Sequence, residues 1–135
     1  WLLLARWGGL RAGEIAQMSG EDITDGWLRV HGKGGTEEDV PTHEILWELA
    51  QSYPRRGPWF AQSPKELSRQ GALFLHGLGF DGGLHRMRAT FGTRMIENNV
   101  PLSDVQRLMR HRSLQSTQHY LGTNEDRLRT AIQAA

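Results

Sequence analysis

His85 and Arg88 are the first pair in this sequence whose types and spacing favour chemistry on an anion. If they lie on a helix, their side chains project from neighbouring parts of one face, because residues three positions apart are neighbours there. An arginine fork stays charged near neutrality and can bridge two oxygens of a phosphate or carboxylate. Histidine is the side chain that changes protonation near pH 7. The pair therefore predicts an anion site with a group that can move protons.

Four more residues could take part in such chemistry, namely Arg11, Lys33 in a glycine-rich stretch, His111, and Tyr120 nine residues after it. Taken singly, each has an ordinary explanation. The arginine could form a surface ion pair, the lysine and histidine could be solvated, and the tyrosine could be half-buried packing. Their significance therefore depends on whether the fold brings them together.

The composition restricts the chemistry further. The chain has 135 residues and no Cys, which excludes disulfides, thiolate nucleophiles and cysteine-based zinc sites. No pair of its other histidines has the spacing of a helical zinc site. The acidic run Glu37, Glu38 and Asp39 could suggest Mg²⁺, but consecutive residues of a hairpin point apart, which favours a solvated turn.

The charge is unevenly distributed along the chain. The totals of 16 Lys+Arg and 15 Asp+Glu give a net charge of only +1. Residues 85–112, however, carry six Arg against Glu97 and Asp104, whereas residues 1–42 carry four basic and seven acidic groups. Of the 16 basic residues, 14 are Arg, which favours forked recognition of phosphate or carboxylate over diffuse ammonium charge.

The elements that must position these residues follow from glycine breaks and hydrophobic periodicity. An opening helix is predicted to break at 8–10, and helical character resumes from Arg11 to Met18. Residues 27–31 alternate as a strand, 39–41 resemble a short returning strand, and the hairpin between them carries Lys33 at its tip. Six further helices are predicted. The first runs from the N-cap Thr42 to Gln51, and the second begins at Ser63 or Pro64 and ends before the glycine-rich stretch 77–83. The others cover residues 84–98, 102–109, 113–121 and 124–134. The predicted fold is one domain, mainly α with a small antiparallel β-sheet.

The order of these residues resembles the active-site series of the tyrosine recombinase (phage integrase) family. The matching stretches are Gly9-Leu10-Arg11-Ala12-Gly13-Glu14, Gly32-Lys33-Gly34-Gly35, His85-x-x-Arg88, and His111 followed by Tyr120. The resemblance implies the catalytic-domain fold and a site-specific DNA recombinase. It also implies cleavage and rejoining of DNA strands through a 3′-phosphotyrosine intermediate, without metal, ATP or another cofactor.

The resemblance also implies a role for each residue. Tyr120 is the nucleophile, and Arg11 and Arg88 stabilise the charge that grows on the attacked phosphate. His85 assists proton transfer, His111 hydrogen-bonds the phosphate, and Lys33 protonates the leaving 5′-oxygen. Glu14 either orients Arg11 or caps its own helix. The expected partner is double-stranded DNA, which a homotetramer of the full-length protein would bind. The chain by itself could be a monomer.

One departure from the family pattern lies beside the predicted phosphate-binding histidine. Family members commonly read Leu-Gly-His there, whereas this chain reads Met109-Arg110-His111. A bulky, charged residue thus replaces a small one.

Two other functions remain open from the sequence. The chain could be a DNA-binding module whose active site is idle or is assembled only in a larger complex. It could also be a metal-free nuclease in which His85 and His111 form an acid–base pair and Tyr120 only packs. A covalent DNA adduct that requires Tyr120 would separate the recombinase from both.

The first residues of the chain lead to two further predictions, one about cellular location and one about the length of the whole protein. The apolar run at 1–5 is too short to cross a bilayer and follows no basic stretch, which predicts a cytoplasmic protein, in a bacterial host cell if the gene is phage-encoded. Because the chain opens with Trp1 inside that run, we expect a piece of a larger protein without the amino-terminal domain that clamps DNA in the family.

Overall fold

The structure, a computed structural model, describes residues 1–110 and 125–135. Within these ranges the chain is mainly α-helical, with one antiparallel two-stranded sheet, as the sequence predicts. The elements are α1 (Leu2–Gly8), α2 (Ala12–Ala16), β1 (Trp27–His31), β2 (Glu37–Pro41), α3 (Glu44–Ala50), α4 (Pro64–Gly77), α5 (Leu84–Glu97), α6 (Leu102–Leu108) and α7 (Glu125–Gln133). None of the described helices is long and apolar enough to cross a membrane.

The core forms where α1 packs along α5. Leu4 of α1 and Phe91 and Met95 of α5 are completely buried. The predicted stripe of α5 at 84, 87, 91 and 95 therefore does face the core, although Met87 is only partly buried. Because α5 is fixed along its length by this stripe, the residues on its opposite side have defined positions at the surface.

Two glycines allow the close approaches on which this packing depends. Gly9 ends α1 in the left-handed region, with φ of 65°, and a Cβ there would lie 2.6 Å from the ring of Phe91. Gly92 of α5 lies under the end of α6, where a Cβ would meet the sulfur of Met109 at 2.7 Å. The glycines thus let the α1–α2 turn and the end of α6 both come close to α5.

The hairpin matches its predicted strand alternation. Leu28 and Val30 of β1 are buried, and a short 3₁₀ turn at Lys33–Gly35 forms the tip. β2 begins at Glu37, two residues before the predicted start at Asp39. The difference has a physical cause, since Arg29 pairs across the sheet with Asp39 at 3.2 Å and with Glu37 at 4.0 Å, which extends the ladder.

One predicted helix start and one predicted helix end are corrected. The N-cap of α3 is His43, not Thr42, because Nδ1 of His43 accepts a hydrogen bond from the amide of Ile45 at 3.1 Å. Burial lowers the pKa of His43, which keeps the ring neutral and able to accept. The second helix is shorter than predicted, with Arg11 as its N-cap. The helix predicted over 113–121 lies outside the described residues, and the helix predicted over 124–134 corresponds to α7.

Replacing Gly9 with alanine tests the close approach at the end of α1. We expect Gly9→Ala to lower the free energy of unfolding by about 2–5 kcal/mol, because it adds left-handed backbone strain to a clash with the Phe91 ring. Urea denaturation measures the change. Gly77→Ala is the matched control, since a Cβ at Gly77 meets nothing within 4 Å, and it should be neutral or slightly stabilising. Equal effects of the two substitutions would contradict the prediction.

Candidate anion-binding active site

Three of the predicted site residues, Arg11, His85 and Arg88, line one cleft of about 200 Å³ between α2, α4 and the start of α5. The other residues that line it are Leu10, Ala12, Ser68, Ala72, Gly83 and Leu84. Two guanidinium groups and an imidazole therefore share one concave site, on residues that are far apart in the sequence. This cationic cleft can receive a phosphate-sized anion.

Each of the three residues is positioned by a helix start. Arg11 is the N-cap of α2, with extended backbone, immediately after the turn at Gly9. His85 is the second residue of α5 and is exposed, and Arg88 follows one turn later with a half-buried side chain. The buried stripe of α5 thus holds His85 and Arg88 against the α1–α2 turn that carries Arg11.

Arg88 is held by backbone carbonyls. Its Nε donates to the carbonyl of Gly9 at 2.8 Å and its Nη2 to the carbonyl of Met109 at 2.6 Å. Among the residues that the structure describes, no carboxylate forms an ion pair with Arg88. Arg88 is therefore a fixed cation whose charge has no direct counter-ion in the described part of the protein.

The surroundings of Arg88 disfavour its charged form. Burial, followed by the charges of Arg11 and Arg110, lowers the pKa of Arg88 to about 10. Even so, its deprotonated fraction at pH 7 is only about one in a thousand. An anion bound in the cleft would relieve this unfavourable electrostatic energy, because an opposite charge favours the charged form of a guanidinium.

Arg110 forms a buried ion pair with Glu14 behind the cleft. Its Nε donates to Oε2 of Glu14 at 3.0 Å and its Nη2 to Oε1 at 2.8 Å, with only 4% and 7% of the two side chains exposed. Nη2 also donates to the carbonyl of Gly9 at 2.8 Å, and Nη1 to that of Leu108 at 2.7 Å. Two guanidinium groups, those of Arg88 and Arg110, therefore share the Gly9 carbonyl.

The sequence interpretation missed this role of Arg110. It recorded only that a bulky charged residue replaces a small one before His111. The backbone of Arg110 has φ of 59°, in the left-handed region where glycine is common, at a cost of roughly 1–2 kcal/mol for other residues. A charged residue at a position that favours glycine was the available signal, and its partner lies 96 residues away.

Glu14 performs both of the roles that the sequence left open. Its Oε1 accepts the amide of Arg11 at 2.7 Å, which caps α2, and its Oε2 lies 3.7 Å from Nη1 of Arg11. Burial alone would raise the pKa of Glu14, but the hydrogen bonds and charges of Arg110 and Arg11 outweigh burial and lower it. Glu14 is thus an anion near neutral pH, bound to two arginines.

Lys33 lies apart from the residues that line the cleft. It is exposed at the hairpin tip, in the 3₁₀ turn. The last strand pair before the tip is fixed, since His31 contacts Asp22 at 2.7 Å and its carbonyl accepts from Gln17 of the segment after α2 at 3.1 Å. Lys33 therefore lies on a glycine-flanked tip that directly follows a fixed strand end.

The remaining two predicted site residues, His111 and Tyr120, lie outside the described residues. Their predicted roles stay predictions.

The acidic run at 37–39 carries ion pairs in the structure. Glu37 and Asp39 pair with Arg29, and Glu38 lies 3.6 Å from Arg107. Residues 1–110 and 125–135 contain no group of three His, Asp or Glu side chains that could hold a metal ion.

The two arginines that share the Gly9 carbonyl should differ in their effect on stability. We expect Arg110→Met to lower the free energy of unfolding by about 3–5 kcal/mol, because it leaves the buried Glu14 carboxylate with only the exposed Arg11 as its cation. Arg88→Met removes a desolvated cation with no ion-pair partner, so we expect a change of less than about 1 kcal/mol in either direction. Chemical denaturation of both variants measures the contrast. Similar losses would contradict it.

Known proteins that are similar to this chain are tyrosine recombinases and integrases. Residues 77–127 match the model of the phage integrase family. The chain is 33% identical to the tyrosine recombinase XerC of Pelobacter propionicus, over 89% of this chain and 45% of the relative. It is also 35% identical to the solved integrase of mycobacterium phage Brujita, with a TM-score of 0.89 over 98% of this chain and 49% of that one.

A third comparison is with a solved structure of lambda integrase bound to DNA. It is 28% identical, with a TM-score of 0.55, over 94% of this chain and 51% of that one. The chain spans about half the length of the relatives it matches. The sequence similarity extends over nearly the whole chain, and the mainly helical fold with its single hairpin agrees with it. The family match and the similar proteins together therefore support a tyrosine recombinase of the phage integrase family.

Proposed function

We propose that this chain is the catalytic domain of a site-specific DNA recombinase that cuts and rejoins DNA through Tyr120. The observation that supports it best is the cleft in which Arg88, without an ion-pair partner among the described residues, lies beside Arg11 and His85. A DNA phosphodiester is the anion that would supply the missing negative charge. Lambda integrase, which shares the family, has been solved bound to DNA.

The proposed reaction exchanges one phosphate ester for another. The phenol oxygen of Tyr120 attacks the scissile phosphorus, and the bond from phosphorus to the 5′-oxygen breaks. The phenol proton passes to His85, and Lys33 gives a proton to the leaving 5′-oxygen. The product is a 3′-phosphotyrosine and a free 5′-hydroxyl, and attack by a second 5′-hydroxyl reverses the exchange. Because the ester bond energy is retained, rejoining needs no ATP.

The arginines of the cleft would act on the charge of the transition state. Attack at phosphorus adds negative charge to the non-bridging oxygens, and fixed donors lower the barrier when they need no reorganisation. Arg88 is fixed by two carbonyls, and Arg11 by its place at the start of α2 beside Glu14. His111 would donate to the same oxygens. The described residues would thus neutralise phosphate charge without a metal ion.

The chain would act as part of a larger assembly. We propose that residues 1–135 form one catalytic domain, that a separate domain clamps the other face of the DNA, and that four protomers assemble on it. Because few phosphate contacts remain in one domain, its DNA binding alone would be weak and sensitive to salt.

The nucleophile is tested with a nicked suicide DNA, from which the cleaved end diffuses away. In the full-length protein we expect a covalent protein–DNA adduct on denaturing electrophoresis, and we expect Tyr120→Phe to abolish it while DNA binding persists. Tyr53→Phe is the matched control, since Tyr53 is the one other tyrosine and packs against Trp59 at 4.8 Å. Cleavage that continues in Tyr120→Phe without an adduct would support the nuclease instead, and an absent adduct in wild type would support the idle module.

The general acid is tested with a leaving group that needs no proton. We expect Lys33→Ala to slow cleavage about 10²–10⁴-fold on ordinary DNA. When sulfur replaces the bridging 5′-oxygen, the loss should largely disappear, because a thiolate leaves readily with a pKa of roughly 8.5. Lys65→Ala is the control, as Lys65 is the only other lysine and is exposed near the start of α4. Equal losses on both substrates would assign Lys33 to binding rather than acid catalysis.

A further inference from the structure

Arg110 has a side chain that the proposed reaction does not use directly. Its guanidinium group is buried, and each of its three nitrogens donates to the protein itself, to Glu14, Gly9 and Leu108. With 4% of the side chain exposed, it has no open edge for a DNA phosphate. A direct contact with substrate is therefore excluded by the geometry.

The partners of Arg110 are the groups that hold Arg11 and Arg88. The Glu14 oxygen that accepts from Nη2 of Arg110 also accepts the amide of Arg11 at 2.7 Å. The Gly9 carbonyl that accepts from Nη2 of Arg110 also accepts from Nε of Arg88 at 2.8 Å. Each arginine of the cleft thus shares a hydrogen-bond acceptor with Arg110.

A second connection runs through the backbone. Nη2 of Arg88 donates to the carbonyl of Met109, the residue that precedes Arg110. The left-handed backbone of Arg110 turns the chain at this point, directly after the carbonyl that Arg88 uses. The conformation of Arg110 therefore affects both carbonyls that fix Arg88.

We propose that Arg110 is a positioning residue, which holds Arg11 through Glu14 and Arg88 through the Gly9 carbonyl so that both forks meet the scissile phosphate. This inference rests on the proposed function. It explains why a charged residue occupies a left-handed position where the family commonly has glycine. The side chain joins α1, α2 and the end of α6 by four hydrogen bonds, which glycine could not make.

The side chain must be a forked cation for this role. Lysine would keep a positive charge beside Glu14, but its single nitrogen cannot reach the Glu14 carboxylate, Gly9 and Leu108 in the directions that the guanidinium plane fixes. Arg110→Lys therefore separates the charge of the residue from its positioning effect.

The test compares binding with chemistry in the full-length protein. Adduct formation on nicked suicide DNA is measured under single-turnover conditions at saturating DNA, and affinity is measured in the Tyr120→Phe background. We expect Arg110→Lys to slow adduct formation about 10–100-fold and to change affinity less than about threefold, since a small misplacement of catalytic groups costs rate rather than binding. Arg94→Lys, at an exposed position of α5, is the matched control, with wild-type behaviour expected.

A second substrate distinguishes positioning from a general structural role. A neutral methylphosphonate at the scissile position carries less charge for Arg11 and Arg88 to stabilise. We expect the deficit of Arg110→Lys to shrink to less than about threefold on this substrate, because less of its barrier depends on electrostatic stabilisation by the arginines. A purely structural defect would slow cleavage of both substrates equally, and this outcome would overturn the inference.

A second variant covers the case in which Arg110→Lys does not fold. The double variant Arg110→Gly, Glu14→Gln removes both buried charges and places glycine at the left-handed position. We expect the same loss of rate with retained affinity. A wild-type rate in either variant would overturn the positioning role while leaving the proposed function intact. Absence of a Tyr120-dependent adduct in wild type would overturn both.

Discussion

Three guanidinium groups converge on one carboxylate and one carbonyl, and the site depends on this constraint. Arg11 and Arg110 bind Glu14, while Arg88 and Arg110 bind the carbonyl of Gly9. Buried guanidinium and carboxylate groups are tolerated only when their hydrogen bonds are satisfied, since each unmet donor or acceptor costs free energy. The pairings leave few alternative positions for the arginines, so satisfying the buried polar groups also determines the shape of the cleft.

The same cluster leaves the charge incompletely balanced. Three cations surround one anion, and the two arginines beside Arg88 lower its pKa, in addition to burial. A protein selected for stability alone would lose little by removing such a cation, whereas a protein that binds a phosphate gains from keeping it unpaired. The ligand would then supply the counter-charge that the described residues lack. Stability is provided nearby by the packing of α1 on α5, and the buried pair of Arg110 and Glu14 would be costly to break.

The sequence predicts the local features of this fold well. The break after α1, the β1 strand and the long helices α4 and α5 were predictable because glycines, N-caps and apolar periodicity act within a few residues. The N-cap of α3 was assigned one residue early, since Thr42 and His43 are adjacent and only the structure identifies the acceptor. β2 begins earlier than predicted because its start depends on cross-strand pairs with Arg29.

Less of the site than of the fold could be predicted from the sequence. No spacing rule joins Arg11 to Arg88, whose contact with Gly9 spans 79 positions, so their association came from a resemblance in residue order. The resemblance in turn gave no role to Arg110, because the family commonly has glycine there. A residue that departs from a pattern can be understood only through its contacts, and Glu14, the carboxylate that Arg110 binds, is 96 positions away.

The excess of arginine over lysine has a physical explanation in this site. Arg88 and Arg110 each donate in several fixed directions at once, and each keeps its charge while partly or fully buried, which a lysine does poorly. In the proposed reaction these groups must hold charge and never release a proton. The leaving 5′-oxygen has the opposite need, because its donor must part with a proton. In the proposed reaction Lys33 at the exposed hairpin tip would supply that proton, whereas Arg88 is held by two backbone carbonyls. The division between arginine and lysine would thus separate the groups that stabilise charge from the one that transfers a proton.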